Sequence, residues 1–156
     1  MLVVETKYDT AIAERICLLE WPEIEPYLPS MLGWCIDQNW PVARVFAERC
    51  VELGEKCTTE FEASCRAMMS GFVGDKRVNP DFDGIYNLLW IVDRWPNNVV
   101  IQIQQLLHDI AHAQNFREVD DEVRGRAAYL LMKCGAPAVE AELSFRSELV
   151  GRFPRY

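Results

Sequence analysis

From the first residues almost to the last, apolar side chains recur every three or four positions, and sustained alternation of apolar and polar residues is absent. That spacing lays one apolar stripe along each helix and predicts an all-α fold. Proline, glycine, asparagine and aspartate mark the breaks. Asp9 precedes a run with Ile12, Ile16 and Leu19 in helical phase, and Trp21-Pro22 is expected to stop it. Pro26 and Pro29 leave residues 24–28 only a short turn, followed by a helix from about residue 29 to 36. The chain turns at Asn39-Trp40-Pro41, and a helix over residues 41–53 starts on Pro41 and stops at Gly54. Further helices are predicted over 55–70, 82–95, 97–113, 120–134 and 137–150, with residues 71–80 as the longest loop. Eight helical segments result.

Sliding residues 41–54 by 81 positions places Val42, Phe46, Ala47, Cys50, Leu53 and Gly54 on Val123, Ala127, Ala128, Leu131, Cys134 and Gly135. Each apolar position of the first copy finds an apolar partner in the second. The second copy resembles the second helix of a HEAT repeat, in which one apolar stripe with two adjacent alanines admits a neighbouring helix closely. A weaker echo relates residues 31–37 before Trp40-Pro41 to residues 88–93 before Trp95-Pro96. Each Trp-Pro is expected to end a helix, with Trp40 and Trp95 at corners covering the ends of the core. The expectation is a single domain over residues 1–156, an α-solenoid of antiparallel helix pairs of the HEAT or armadillo kind.

A chain of 156 residues, half of them apolar or aromatic, buries enough surface to fold without staples. The N-terminus lacks the basic flank and long apolar run of a secretion signal, and no apolar stretch approaches the ~20 residues of a membrane span. The expected location is therefore the cytoplasm. Cys17, Cys35, Cys50, Cys57, Cys65 and Cys134 contain no C-x-x-C pair and fall mostly at core-phase positions, as buried reduced thiols do. No cofactor is expected. The formal net charge of −8 repels phosphate backbones and anionic headgroups, which disfavours nucleic acid and membrane as ligands and favours a basic protein partner.

Candidate chemistry is sparse. His108-Asp109-Ile110-Ala111-His112 has the i,i+4 histidine spacing of a helical zinc site, and a metal-dependent hydrolase using His108 and His112 is one reading. Against it, Asp109 is one methylene shorter than the glutamate that serves as base in such sites, and a third ligand is not evident. At 100° per residue, Val99, Ile103, Leu106, Leu107 and Ile110 form the buried stripe, leaving both histidines on the solvent side with Ile101 and Gln105. No nucleophile–base pair, phosphate loop or dinucleotide fingerprint emerges, so the chain is not expected to be an enzyme. Acidic residues are the remaining signal. Glu118, Asp120, Asp121 and Glu122 precede a helix whose dipole stabilises them by ~0.3–1 kcal/mol without any partner. Arg44, Glu48 and Glu52 share the polar side of the helix after Pro41. There the two carboxylates repel by about 0.2–0.5 kcal/mol, with Arg44 and Lys56 as the nearest compensating charges in sequence.

The run Leu28-Pro29-Ser30-Met31-Leu32-Gly33-Trp34-Cys35-Ile36-Asp37-Gln38-Asn39-Trp40-Pro41-Val42-Ala43 resembles the signature of a small bacterial HEAT-like family described only as a domain of unknown function. The resemblance extends over about residues 8–56. Small acidic helical-repeat proteins of this kind are similar to immunity proteins, which bind and neutralise a secreted antibacterial toxin, with type VI secretion effectors as the setting. The resemblance implies a cognate toxin with a basic surface, such as a nuclease, occluded stoichiometrically by an acidic and aromatic face. Asp37, Trp40, Glu48 and Glu52 near the signature turn, with Asp120, Asp121 and Glu122 in the second acidic cluster, are the candidate partner-binding residues. A non-catalytic scaffold or adaptor using the same surface is the competing class.

Overall fold

The computed structural model describes residues 2–70, 72–73, 76–77, 81–113 and 121–136. Helices carry the fold. Among the described residues, the β pairing consists of Phe72–Val73 (β1) against Lys76–Arg77 (β2), antiparallel, with Phe72 opposite Arg77 and Val73 opposite Lys76. This hairpin lies within the segment expected to be a plain loop, and two residues per strand are too few to leave an alternation in the sequence. No described helix is long and apolar enough to cross a membrane. The chain divides into two compact units, Met1–Arg94 and Trp95–Tyr156.

The first unit contains α1 (Thr10–Cys17), α2 (Leu28–Trp34), α3 (Pro41–Leu53), α4 (Thr58–Ser70) and α5 (Phe82–Asp93). Both α1 and α2 pack on α3, α2 packs on α4, and α3 and α4 both pack on α5. The residues responsible are the predicted stripes: Ala13 and Ile16, Leu28, Met31 and Leu32, Val42, Phe46 and Cys50, Phe61 and Cys65, Ile85, Leu88, Leu89 and Val92 are all buried. Each buried Val, Leu, Ile, Met or Phe among them contributes on the order of 1.5–3 kcal/mol.

Helix ends follow local chemistry. Asp81 caps α5 by accepting the Gly84 N–H at 2.8 Å. Gly54 ends α3 at φ +52°, ψ −115°, a conformation open to glycine, and a 3₁₀ turn Gly54–Cys57 leads into α4. A continuous helix over 55–70 is thus corrected to a 3₁₀ turn followed by α4. Two of the Trp-Pro pairs do not end helices, since α1 stops at Cys17 and α2 at Trp34, several residues before Trp21 and Trp40, whereas α5 stops at Asp93 with Arg94 as its cap, directly before Trp95-Pro96. Trp40 instead stands at the start of α3 with an extended ψ of 133°, as a residue preceding proline prefers.

The second unit contains α6 (Asn97–Val100), α7 (Gln104–Ala111) and α8 (Asp121–Lys133), with a 3₁₀ turn Ile101–Ile103 interrupting the expected single helix over 97–113. α7 packs along α8, and α6 also touches α8. The stripe Val99, Ile103, Leu106, Leu107 and Ile110 is buried as expected, and α8 buries Val123, Ala127, Ala128, Leu130 and Leu131 together with Arg126. α8 closes with Gly135 at φ +74°, its N–H bonding Met132 O while Ala136 N–H reaches Leu131 O, the paired bonds of a Schellman motif. The expected helix over 137–150 lies outside the described residues.

Candidate functional site

The signature turn between α2 and α3 is built from its own polar side chains. Asp37 Oδ1 accepts from the Asn39 N–H at 3.0 Å and from Asn39 Nδ2 at 3.1 Å, and Trp40 N–H closes the turn on Asp37 O. The turn is then fastened to α5 by two reciprocal bonds. Gln38 Nε2 donates to Asn87 O at 2.6 Å, and Asn87 Nδ2 donates to Ile36 O at 2.7 Å. Half-buried bonds of this kind contribute about 0.5–1.5 kcal/mol each. Trp34 and Trp40 meet edge to face, centroids 5.4 Å apart, on the same turn.

Fastening the turn to α5 opens a groove between α3 and α5. Its volume is about 530 Å³, and Ala43, Ala47, Val51, Trp90 and Ile91 supply its apolar lining. Gln38 and Asn39 contribute amides, and Arg44, Glu48 and Arg94 contribute charges. Trp90 is half-buried and meets Tyr86 edge to face at 6.3 Å. Ala43 and Ala47 sit one helical turn apart, so no long side chain of α3 fills the space there.

Glu48 and Arg94 cross the groove in a two-pronged pair at 2.6 and 2.7 Å. The Arg94 hydrogen bond holds the Glu48 carboxyl below the usual carboxylate range, against a smaller opposing effect of burial, and the same bond raises Arg94. Glu48 is therefore ionised at neutral pH and poorly suited to carry a proton. Arg44, exposed on the same lining, makes no hydrogen bond or ion pair with a described residue.

The candidate partner-binding residues divide accordingly. Asp37 and Trp40 are half-buried in the signature turn, and Glu48 and Glu52 are exposed on α3. The charges that relieve Glu48 and Glu52 are Arg94 and Arg49, in place of Arg44 and Lys56. Arg49 Nη1 reaches Glu52 at 2.9 Å while its Nη2 donates to Leu19 O, tying the segment after α1 to α3. Lys56 instead lies over the Trp21 ring at 5.6 Å. In the second cluster, Asp120 lies outside the described residues, Asp121 is the first residue of α8, and Glu122 is exposed. Sequence reasoning passed over Gln38, Asn87, Trp90 and Arg94. Gln38 lies inside the signature run and Trp90 inside the 88–93 echo, but neither pattern assigns them a role, and only a three-dimensional pairing of α3 with α5 could single out all four.

His108 and His112 are half-buried rather than fully turned to solvent. Their rings stack at 4.1 Å with 23° between planes, and His112 Nδ1 lies 2.9 Å from His108 O. Among the described residues, no group of three or more His, Cys, Asp or Glu side chains is placed to hold a metal ion. All six cysteines are free thiols, with Cys35, Cys50, Cys57 and Cys65 buried. The Cys50 thiol is raised by its hydrogen bond with Cys35 and by burial, and Cys57 by its hydrogen bond with Cys50 and by burial. Burial is the main cause that lifts Cys65 and lifts Cys17 to about 11, with nearby carboxylates adding to it and arginines opposing it.

No curated protein and no solved structure matches the chain. One family does match, and it runs through the signature turn, the groove and most of α8: residues 2–131 fit the family described as Domain of unknown function (DUF5071), to which the chain therefore belongs.

Proposed function

We propose that this chain is an immunity protein, a stoichiometric binder that occludes a cognate antibacterial toxin of the type VI secretion kind. The observation that carries this reading is the groove between α3 and α5. It offers shape, an aromatic wall and fixed charges, and its one carboxylate is locked in an ion pair instead of being poised for proton transfer. Such a surface suits recognition, in which a central aromatic anchor and complementary charges supply affinity and specificity. The packing of the first unit supports a HEAT-like reading. α2 with α3 and α4 with α5 pair in chain order, the first helices of the pairs touch, the second helices touch, and α1 leans on α3. Two stacked hairpins preceded by the last helix of a third would pack this way. The equivalent polar faces of α3 and α5 then form one surface, available to a partner.

Co-expression with the product of the adjacent gene tests the proposal. Growth inhibition by that product is expected to be relieved by this chain, and the two are expected to co-elute at one to one. Trp90→Ala should weaken the rescue. A harmless neighbouring product, or toxicity that this chain leaves unrelieved, would sink the immunity reading and favour a scaffold or adaptor.

A further inference from the structure

Resting on the reading of the chain as a protein binder, we propose that the α3–α5 groove holds an extended segment of the partner that carries an aspartate or glutamate. Its carboxylate meets Arg44, and an apolar neighbour lies on Trp90 and Val51. Four observations converge. The charged lining contains two guanidinium groups and one carboxylate, so the groove is locally cationic on a chain whose net charge is −8. Arg94 is already engaged by Glu48 through both of its terminal nitrogens, whereas Arg44 has no described partner. Arg44 is therefore the cation left for a ligand.

Reach is the third observation. From Ala43 to Val51 the groove follows α3 for about 12 Å at 1.5 Å per residue, room for about four residues of extended chain at 3.3 Å each. Amide groups at one end are the fourth. Gln38 spends one N–H on Asn87 O and Asn39 one on Asp37, which leaves both side-chain oxygens and a further N–H on each to meet a peptide backbone. The overall negative charge does not cancel this preference. Screening over about 8 Å at physiological ionic strength makes the groove's own charges the ones a seated side chain experiences.

The test uses the full chain and three blocked tetrapeptides, acetyl-Leu-X-Leu-Gly-amide with X as Glu, Gln or Lys, in an NMR titration of backbone amides. The Glu peptide is expected to shift Arg44, Ala47, Val51 and Trp90 and to bind about fivefold more tightly than the Gln peptide, with the Lys peptide weakest. Arg44→Glu should invert the order of the Glu and Lys peptides. Because Arg44 is exposed and makes no bond with a described residue, that variant should keep the wild-type spectrum elsewhere. Equal affinity for all three peptides, or an order unchanged in Arg44→Glu, overturns the proposal. So does glutarate shifting the same amides as strongly as the Glu peptide, which would reduce the groove to a simple anion site. Failure of the peptides with toxin rescue intact would reject the groove and leave the immunity reading standing; discriminating peptide binding without rescue would do the reverse.

Discussion

At the scale of single residues, the thiols show how far one-dimensional pattern can lead. Cys35, Cys50, Cys57 and Cys65 sit where their helices turn inward, and helical phase alone placed them in the core. The hydrogen bonding among Cys35, Cys50 and Cys57 was illegible, because it depends on which elements become neighbours. A pKa of about 11 leaves roughly one in ten thousand Cys17 side chains as thiolate at pH 7. Iodoacetamide at neutral pH should therefore leave the four buried thiols unmodified in the native chain and label Cys17 slowly. Cys17 labelling should rise about tenfold per pH unit until pH approaches that value. All six should react in denaturant, and mass spectrometry of the alkylated peptides reads the outcome. Rapid native labelling of Cys50 or Cys57 would mean that the core of the first unit opens readily. The histidines teach the opposite lesson. Periodicity assigned His108 and His112 to the solvent side of their helix, but their ring stack depends on rotamers and on a carbonyl one turn back, neither of which a helical wheel contains.

At the scale of elements, glycine separates two roles that look alike in the sequence. Gly33 lies inside α2, exposed, with open space where a Cβ would stand and a backbone any residue adopts. Gly54 also has open space around it, but at φ +52° the strain comes from the backbone itself. Gly33→Ala should accordingly stabilise the chain by about 0.5–1 kcal/mol, while Gly54→Ala should destabilise it by about 1–3 kcal/mol. Urea unfolding followed by circular dichroism measures both, and equal effects would show that the end of α3 is not held in the conformation described. The stop at Gly54 and the start at Pro41 were legible because proline and glycine restrict or free a single backbone position. Other boundaries moved. The 3₁₀ turns Gly54–Cys57 and Ile101–Ile103 preserve the apolar phase of the helices they adjoin, so periodicity runs through them unbroken. The groove escaped sequence reading for a related reason. Glu48 and Arg94 are 46 positions apart, and the latch between Gln38 and Asn87 spans 49. Only the packing of α3 on α5 makes either pair adjacent.

At the scale of the whole molecule, two electrostatic effects act over different distances, and their separation yields a kinetic prediction. A net charge of −8 extends into solvent and would speed the approach of the basic toxin proposed above, an effect carried mainly by the association rate and weakened by salt. The groove acts after contact, within a few ångströms, where Arg44 and Trp90 would hold one segment of the partner and thus set the dissociation rate. The acidic residues on α3 add less to a phosphate-like surface than their number suggests, because Glu48 and Glu52 are both paired with arginine. On this proposal steering would belong to the whole charge and grip to one local cation. Surface plasmon resonance on the isolated complex should then show the association rate falling at least tenfold between low salt and ~0.5 M, with a much smaller change in dissociation. Arg44→Glu should make the opposite change, raising the dissociation rate about fivefold while leaving association unchanged or slightly faster, since the variant makes the molecule more negative. A variant that slowed association and left dissociation untouched would place Arg44 outside the contact and assign its charge to the long-range field alone.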